Sequence, residues 1–206
     1  MSQRISKLYH LVTIPAIYKG LMSALGAERA RQRLARELYA VPAGGKVLDV
    51  GCGPGSIYPY LPDVDYTGID LNPKHVAHAR ALYGDRARFM VGDASRDLKG
   101  EAGTFDLVVV SALLHHLDDE QARGMLRRLC ELLKPGARLV TFDNVWLERQ
   151  NPIAWALNKL DSGLNVRFAG EYRRLVAGLP VSVEERLYRD LLRIPYDHFS
   201  MILTKS

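Results

Sequence analysis

Val47-Leu48-Asp49-Val50-Gly51-Cys52-Gly53-Pro54-Gly55 decides the reading of this chain. A short apolar strand runs into a glycine-dense turn and leaves towards a helix. Glycine has no Cβ, so a ligand can lie against bare backbone at such a turn. In a parallel α/β sheet, the loop at the carboxyl end of the first strand is where a nucleotide-like ligand is expected. The dinucleotide pattern G-x-G-x-x-G is not met, because Ser56 stands at the third position and the extra glycine falls one residue early, at Gly55. No Gly-Lys-Ser/Thr closes the loop, which excludes a P-loop. A tight strand–helix turn that holds no ligand is the plainer alternative.

Outward from this loop the chain alternates. Ile17, Leu21, Leu25, Leu34 and Leu38 recur at helical spacing up to about Ala40, and Pro42-Ala43-Gly44-Gly45 ends the pattern. Strands are expected at Val47–Val50, Tyr66–Leu71, Ala87–Val91, Phe105–Val110 and Ala137–Phe142. Between them lie a helix-like stretch from the glycine loop to about Leu61, a helix from Pro73 to Tyr83 and a helix over Asp118–Leu133. Phe105–Val110 is the most apolar strand, as a central strand covered on both faces should be. This rhythm argues for a doubly wound, mostly parallel α/β sheet.

The rhythm breaks at residues 144–168, which mix Trp146, Pro152, Trp155 and Gly163. A helix near Gly170–Ala177 follows, and then Val181–Leu187 and Tyr196–Leu203, which can form an antiparallel end pair. The expected organisation is one domain over 1–206. It comprises a helical lead-in (1–43), a ligand-binding core (44–143), an insertion (144–172), and a last helix with the strand pair (173–206).

With 206 residues, 48% apolar and 25% charged, the composition is that of a soluble domain with a sizeable core. No apolar run approaches the ~20 residues of a membrane span. Arg4 and Lys7 before Leu8–Ile14 look faintly like a signal peptide, but His10 and Pro15 interrupt the run and Lys19 follows. An amphipathic lead-in and a cytoplasmic protein are expected. Cys52 and Cys130 form no C-x-x-C and join no Cys/His cluster, so neither a disulfide framework nor a metal site is expected. A net charge of +5 permits an anionic partner. Arg29, Arg31, Arg33, Arg36, Arg123, Arg127 and Arg128, however, fall at the spacings of solvated helix faces. Nothing here looks like a nucleic-acid-binding module, which disfavours nucleic acid as a partner.

Past the loop, Asp70 ends the second strand, where an acidic residue holds ribose hydroxyls in such folds. It could instead cap the helix that Pro73 starts. The third strand ends in Gly92-Asp93-Ala94, where Asp93 can accept an adenine amino group and Ala94 leaves room for the ring, or Asp93 is an ordinary turn residue. Val47–Gly55, Gly68–Leu71, Gly92–Ala94, Phe105–His116 and Leu132–Gly136 together resemble, in order and spacing, the class I S-adenosylmethionine (SAM)-dependent methyltransferases. The resemblance covers roughly residues 44–143. It implies a seven-stranded sheet with a reversed last strand, the Rossmann-like methyltransferase fold. It also implies SAM as cofactor and S-adenosylhomocysteine as product. Carried over residue by residue, it sets Gly51, Gly53 and Gly55 against the methionine and ribose, with Asp49 and Cys52 of the same motif counted among the cofactor-binding residues. It sets Asp70 on the ribose, Leu71 on the adenine, Asp93 and Ala94 at the adenine edge, and Ser111 near the methionyl group. More loosely, Asn165-Val166-Arg167 and Arg193-Ile194-Pro195-Tyr196-Asp197-His198 resemble a compact bacterial branch of that family, with no single substrate implied.

Methyl transfer needs acceptor and methyl aligned, water excluded, and for an alcohol or phenol a base. His115 and His116, just past the fourth strand, are the catalytic candidates, and Asp143 can orient a histidine. Each has a structural alternative: a packed histidine, a histidine bonded to a carbonyl, a capping aspartate. Trp146, Asn165, Arg167 and Tyr172 are the expected substrate-binding residues. Arg167 could hold a carboxylate or phosphate, or make a structural salt bridge. His198 reads as a structural histidine. The leading expectation is methyl transfer to a small-molecule O or N acceptor. A macromolecular or lipid-linked acceptor and a non-catalytic SAM-binding module stay open. An NAD-dependent oxidoreductase is disfavoured by Ser56. Oligomeric state is open.

Overall fold

The computed structural model describes residues 25–94, 96–98, 102–161 and 163–206. The lead-in stretch Leu8–Ile14, and Ile17 and Leu21 of the first helical pattern, lie outside them. What is described of that pattern is α1 (Ala27–Glu37), entered through Gly26 with φ +81°. From there the chain runs through β1 (Lys46–Val50), β2 (Asp65–Asp70), α2 (Pro73–Tyr83), β3 (Arg88–Val91) and β4 (Phe105–Ser111). It continues through α3 (Asp119–Leu132), β5 (Leu133–Trp146), α4 (Pro152–Leu160), β6 (Arg167–Phe168), α5 (Ala169–Arg174), β7 (Val181–Tyr188) and β8 (His198–Lys205).

The main sheet has the order β3-β2-β1-β4-β5-β8-β7, with the two-residue β6 added beside the end of β5. β1 to β5 are parallel, and β8 runs antiparallel to both β5 and β7. The expected mostly parallel seven-stranded sheet with a reversed last strand is therefore present. Strand order reverses at β1 and β4, whose carboxyl ends form the crevice where ligands bind in such sheets.

Local chemistry explains most boundaries. Pro73 begins α2 behind Asn72, whose side chain accepts from Lys74 N at 3.0 Å. α3 opens on a reciprocal capping box, Asp118 accepting from Gln121 N while Gln121 Oε1 accepts from Asp118 N. One expectation fails: the stretch after the glycine loop is a single 3₁₀ turn, Tyr58–Tyr60, not a helix. Pro54, Pro59 and Pro62 each lack the N–H a continuing helix would use. β5 also starts earlier than Ala137. Phe105 pairs with Leu133 and Leu107 with Arg138, so residues 134–137, with Pro135 and Gly136, bulge from the ladder.

Strand alternation divides the core. Leu48, Val50, Val108 and Val110 face Leu126 and Leu129 of α3 and Tyr172 of α5. Val47, Leu107, Val109, Val140 and Phe142 face α1, through Leu34 and Leu38, and α2, through Val76 and Ala79. Side chains alternate along a strand, so Asp49, Ser111 and Phe142 share the α1 face, while Asp143 belongs to the α3 face.

Candidate active site

The glycine loop sits on the crevice with three left-handed residues: Gly51 at φ +72°, Gly53 at +53° and Gly55 at +74°. These angles favour glycine. Gly51 N and Cys52 N both donate to Ile69 O, which fastens the loop across the end of β2. Gly53 N donates to Asp70 Oδ2 at 2.8 Å, and Asn72 N donates to Asp70 Oδ1 at 2.8 Å. Asn72 caps α2, so Asp70 is left to face the loop. A carboxylate has about four lone-pair positions, so a hydroxyl pair can still be accepted.

A cavity of about 600 Å³ opens on the α3 side of the loop, walled by Gly51, Asp70, Leu71, Asp93, Ala94 and Leu113, with Glu120, Gln121, Gly124 and Met125 of α3. Leu71 is 70% exposed there, an apolar side chain held open to a ligand-sized space. A second cavity of about 330 Å³ opens on the α1 side, walled by Tyr39, Asp49, Cys52, Gly53, Ser111, Phe142, Leu191, Leu192 and His198, with Arg31 of α1. Gly51 lines both. Of the cofactor residues expected from sequence, Asp70, Leu71, Asp93 and Ala94 gather on the first cavity, and Asp49, Cys52, Gly53 and Ser111 on the second.

Gly55 is the exception, lining neither cavity. A Cβ on it would come within 2.8 Å of the Tyr83 ring and 3.0 Å of Phe89. Tyr83 Oη also donates to Gly55 O at 3.1 Å. Gly55 is a packing glycine, glycine because an aromatic cluster presses on it.

Asp49 is buried and accepts from Tyr66 Oη at 2.5 Å. Burial lifts its pKa to about 7, against the pull of the Tyr66 hydrogen bond. Burial likewise raises the Cys52 thiol, which disfavours a thiolate nucleophile there.

The residues expected on the acceptor side fare differently. His115 and Asp143 are brought together, with His115 Nδ1 2.7 Å from Asp143 Oδ1. His115 Nε2 lies 3.4 Å from Asp161 Oδ1, and both His115 and Asp143 are buried. Burial alone would lower the imidazole, but the bond and charge of Asp143, then Asp161, outweigh it and hold its pKa above the ordinary value. Burial raises Asp143 in turn. His116 lies against His115 with ring centroids 4.1 Å apart and planes tilted by 42°, and burial followed by the His115 charge lowers its pKa. None of the three lines either cavity.

Arg167 corrects the expectation of a ligand-binding cation. It donates to Asp119 Oδ1 and to the carbonyls of Leu114, Leu117 and Asn165, and is buried. That commits all three of its nitrogens to the fold. Tyr172 is corrected too: it is buried, stacks on Phe199 and donates to Asn144 O at 2.9 Å. Asn165 contributes its N–H to His115 O at 2.9 Å. Trp146 and Trp155 each face Lys159, whose Nζ is 5.5 Å from the Trp146 ring centroid and 5.6 Å from that of Trp155. The insertion is thereby pinned to the turn at Leu114–His116.

The sequence reading missed Tyr39, Phe142, Leu191 and Leu192, the walls of the second cavity, and the first turns of α3. Gly124, a mid-helix glycine costing about 1 kcal/mol against alanine, was a signal that α3 is shaped for something besides propensity.

Residues 47–136 match the methyltransferase domain family. An uncharacterised methyltransferase of Synechocystis is 33% identical over 121 residues, covering 58% of this chain and 56% of that protein. A ubiquinone biosynthesis O-methyltransferase of Xanthomonas axonopodis is 38% identical over 104 residues, covering 48% of this chain and 42% of that protein. The chain spans about half the length of the curated relatives it matches. A solved TehB-like SAM-dependent methyltransferase from Corynebacterium glutamicum shares the fold with a TM-score of 0.68 at 21% identity, over 97% of this chain and 100% of that one. Sheet order and glycine loop are those of the Rossmann-like methyltransferase fold, and residues 47–136 carry the methyltransferase domain. Through that domain the chain is similar to the class I SAM-dependent methyltransferases, whose cofactor is S-adenosylmethionine.

The residues present fit that cofactor. The first cavity offers a carboxylate for ribose hydroxyls and an open leucine for a flat ring. Gly51 lies on both cavities and Gly53 on the second. Among the described residues, no helix is long and apolar enough to cross a membrane.

Proposed function

We propose that this protein transfers a methyl group from SAM to a small-molecule O or N acceptor, as a cytoplasmic enzyme. The observation that carries the reading is Gly51, the common wall of one cavity suited to a nucleoside and another suited to a small apolar partner. Bound SAM supplies an electrophilic methyl on a sulfonium. The chain's own part is to hold and enclose: Asp70 fixes the ribose end, Leu71 and Ala94 take the adenine, and the second cavity excludes water from the acceptor. A displacement at carbon gains most from such alignment. The O-methyltransferase name of the Xanthomonas relative agrees with a small acceptor. So does a second cavity of about 330 Å³, too small for a folded macromolecule.

Isothermal titration with SAM and S-adenosylhomocysteine tests the cofactor half, and transfer of labelled methyl into small-molecule extracts tests the rest. Micromolar binding with label incorporation is expected. No binding of either cofactor form sinks the reading, and binding without transfer to any extract turns it into a SAM-binding module.

A further inference from the structure

We propose that Arg31 of α1 holds the α-carboxylate of the cofactor's amino-acid tail, so that the second cavity selects cofactor forms carrying that group. This rests on the methyltransferase reading and deepens it at the tail end of the cofactor site.

Arg31 does not lie on the solvated face expected of it. Ala27, Ala30, Arg31 and Leu34 recur at i, i+3, i+4 and i+7 of α1, and all four wall the second cavity. Ala27, Ala30 and Leu34 are buried, so a half-buried guanidinium interrupts the inward stripe of the helix. Among the described residues it has no hydrogen-bond or ion-pair partner. Arg33, two residues on, shows the contrast, bonding Glu37 at 2.8 Å and Asp190 at 2.9 Å. A cation partly withdrawn from water is costly without a counter-ion, so this wall suits an anion.

The helix that carries it is anchored at both ends. Arg193 N donates to Leu25 O at 3.0 Å, and Arg186 Nη1 donates to Glu37 O at 2.9 Å. The Arg31 charge is also felt at Tyr83, whose hydroxyl donates to Gly55 O of the glycine loop. A guanidinium on a fixed helix beside that loop is placed before any ligand arrives.

Chemistry identifies the anion. Among the described walls Arg31 is the one permanent cation and Asp49 of β1 the one carboxyl group, while burial lowers the His198 pKa to about 4 and leaves that ring neutral. An α-amino acid presents the complementary pair, a carboxylate and an ammonium on one carbon. The guanidinium fork meets a carboxylate through two parallel N–H bonds. Gly51 lines both cavities, so a ligand with its nucleoside in the first can extend an amino-acid tail into the second.

The test compares S-adenosylhomocysteine with its decarboxylated counterpart, the aminopropyl thioether of adenosine, which keeps the ammonium and lacks only the carboxyl group. Both are titrated calorimetrically into the full chain. The native protein should bind the carboxylated form at least about tenfold more tightly. Arg31→Ala should erase that preference by weakening S-adenosylhomocysteine alone. Arg31→Lys keeps the charge without the fork and should fall between. Arg29→Ala removes an exposed charge from the same helix and should change neither affinity. Equal native affinity for the two compounds overturns the proposal, as does a preference that survives in Arg31→Ala. Loss of both affinities together in that variant also overturns it, because Arg31 would then serve only to hold α1. If the native protein binds neither compound, the methyltransferase reading has failed instead.

Discussion

The Tyr66 hydroxyl donates to Asp49 at 2.5 Å, joining neighbouring strands directly beneath the glycine loop. Asp49 lines the second cavity with a pKa lifted by burial to about 7, and the Tyr66 bond is what keeps it from rising further. Its charge is therefore poised to change near neutrality. An ionised Asp49 favours a cationic ligand in that cavity, and a protonated one does not.

Binding of the SAM cation relative to neutral-sulfur S-adenosylhomocysteine should strengthen as pH rises through 7. Tyr66→Phe removes the bond that favours the carboxylate, so Asp49 ionises only at higher pH. At pH 7 the variant should lose several-fold in the SAM-to-homocysteine affinity ratio, and Asp49→Asn should make that ratio flat with pH. Calorimetric dissociation constants from pH 6 to 8.5 measure both. A ratio that follows pH in Asp49→Asn as it does in the native protein excludes this role.

Asp70 joins the loop and the first cavity through the same two oxygens. Asp70→Ala strips the acceptor from Gly53 N and Asn72 N and removes the group proposed to take the ribose. A charge-assisted pair of bonds is worth about 1.5–3 kcal/mol each. S-Adenosylhomocysteine should bind at least about tenfold more weakly, with Asp70→Asn intermediate. Unchanged affinity in Asp70→Ala would remove Asp70 from the site.

The two glycines at 53 and 55 should separate cleanly. Gly55→Ala meets both a left-handed backbone and the rings of Tyr83 and Phe89, so about 2–4 kcal/mol of stability should be lost in urea unfolding. Gly53→Ala meets the backbone penalty alone, since nothing lies within 4 Å of its Cβ position. It should cost about 1–2 kcal/mol and weaken cofactor binding instead. Equal stability losses at both positions would contradict the packing role of Gly55.

The same pair shows what could be read from sequence. Residues 47–143 announced their strands because apolar runs are short and prolines and glycines punctuate them, whereas the cap of α2 is Asn72 and not the Asp70 read as its candidate. The approach of Asp143 to a histidine was legible from two strand ends that must lie side by side. Gly55 was not, because the rings that claim it come from Tyr83 and Phe89, and only tertiary packing brings them over the loop. The second cavity was hidden for the same reason. Its walls come from residues 39, 142 and 191–198, and no local pattern distinguishes His198 on a ligand wall from a histidine buried in a sheet. Arg167 was ambiguous by nature: the fork that suits a carboxylate ligand equally suits three carbonyls and Asp119.

His115 predicts a pH dependence of stability. It sits between Asp143 and Asp161, receives the Asn165 N–H on its carbonyl, and touches Gly163 so closely that a Cβ there would collide with its ring. Arg167 closes the same latch from the other side. Both His115 and Asp143 bind their protons more tightly in the fold than in the open chain. Stability from such groups is complete below their unfolded values and declines as pH rises through the folded ones. For His115 the decline begins above about pH 6.5. Melting temperatures should therefore fall from pH 6.5 to 9 in the native protein. His115→Gln leaves Asp143 buried without its partner, so the variant should be less stable and should lose still more at alkaline pH. The double variant His115→Gln/Asp143→Asn keeps a neutral hydrogen-bonding pair and should flatten the decline, while the titration of Asp49 stays common to all three. A double variant that follows the native slope would mean the latch does not titrate.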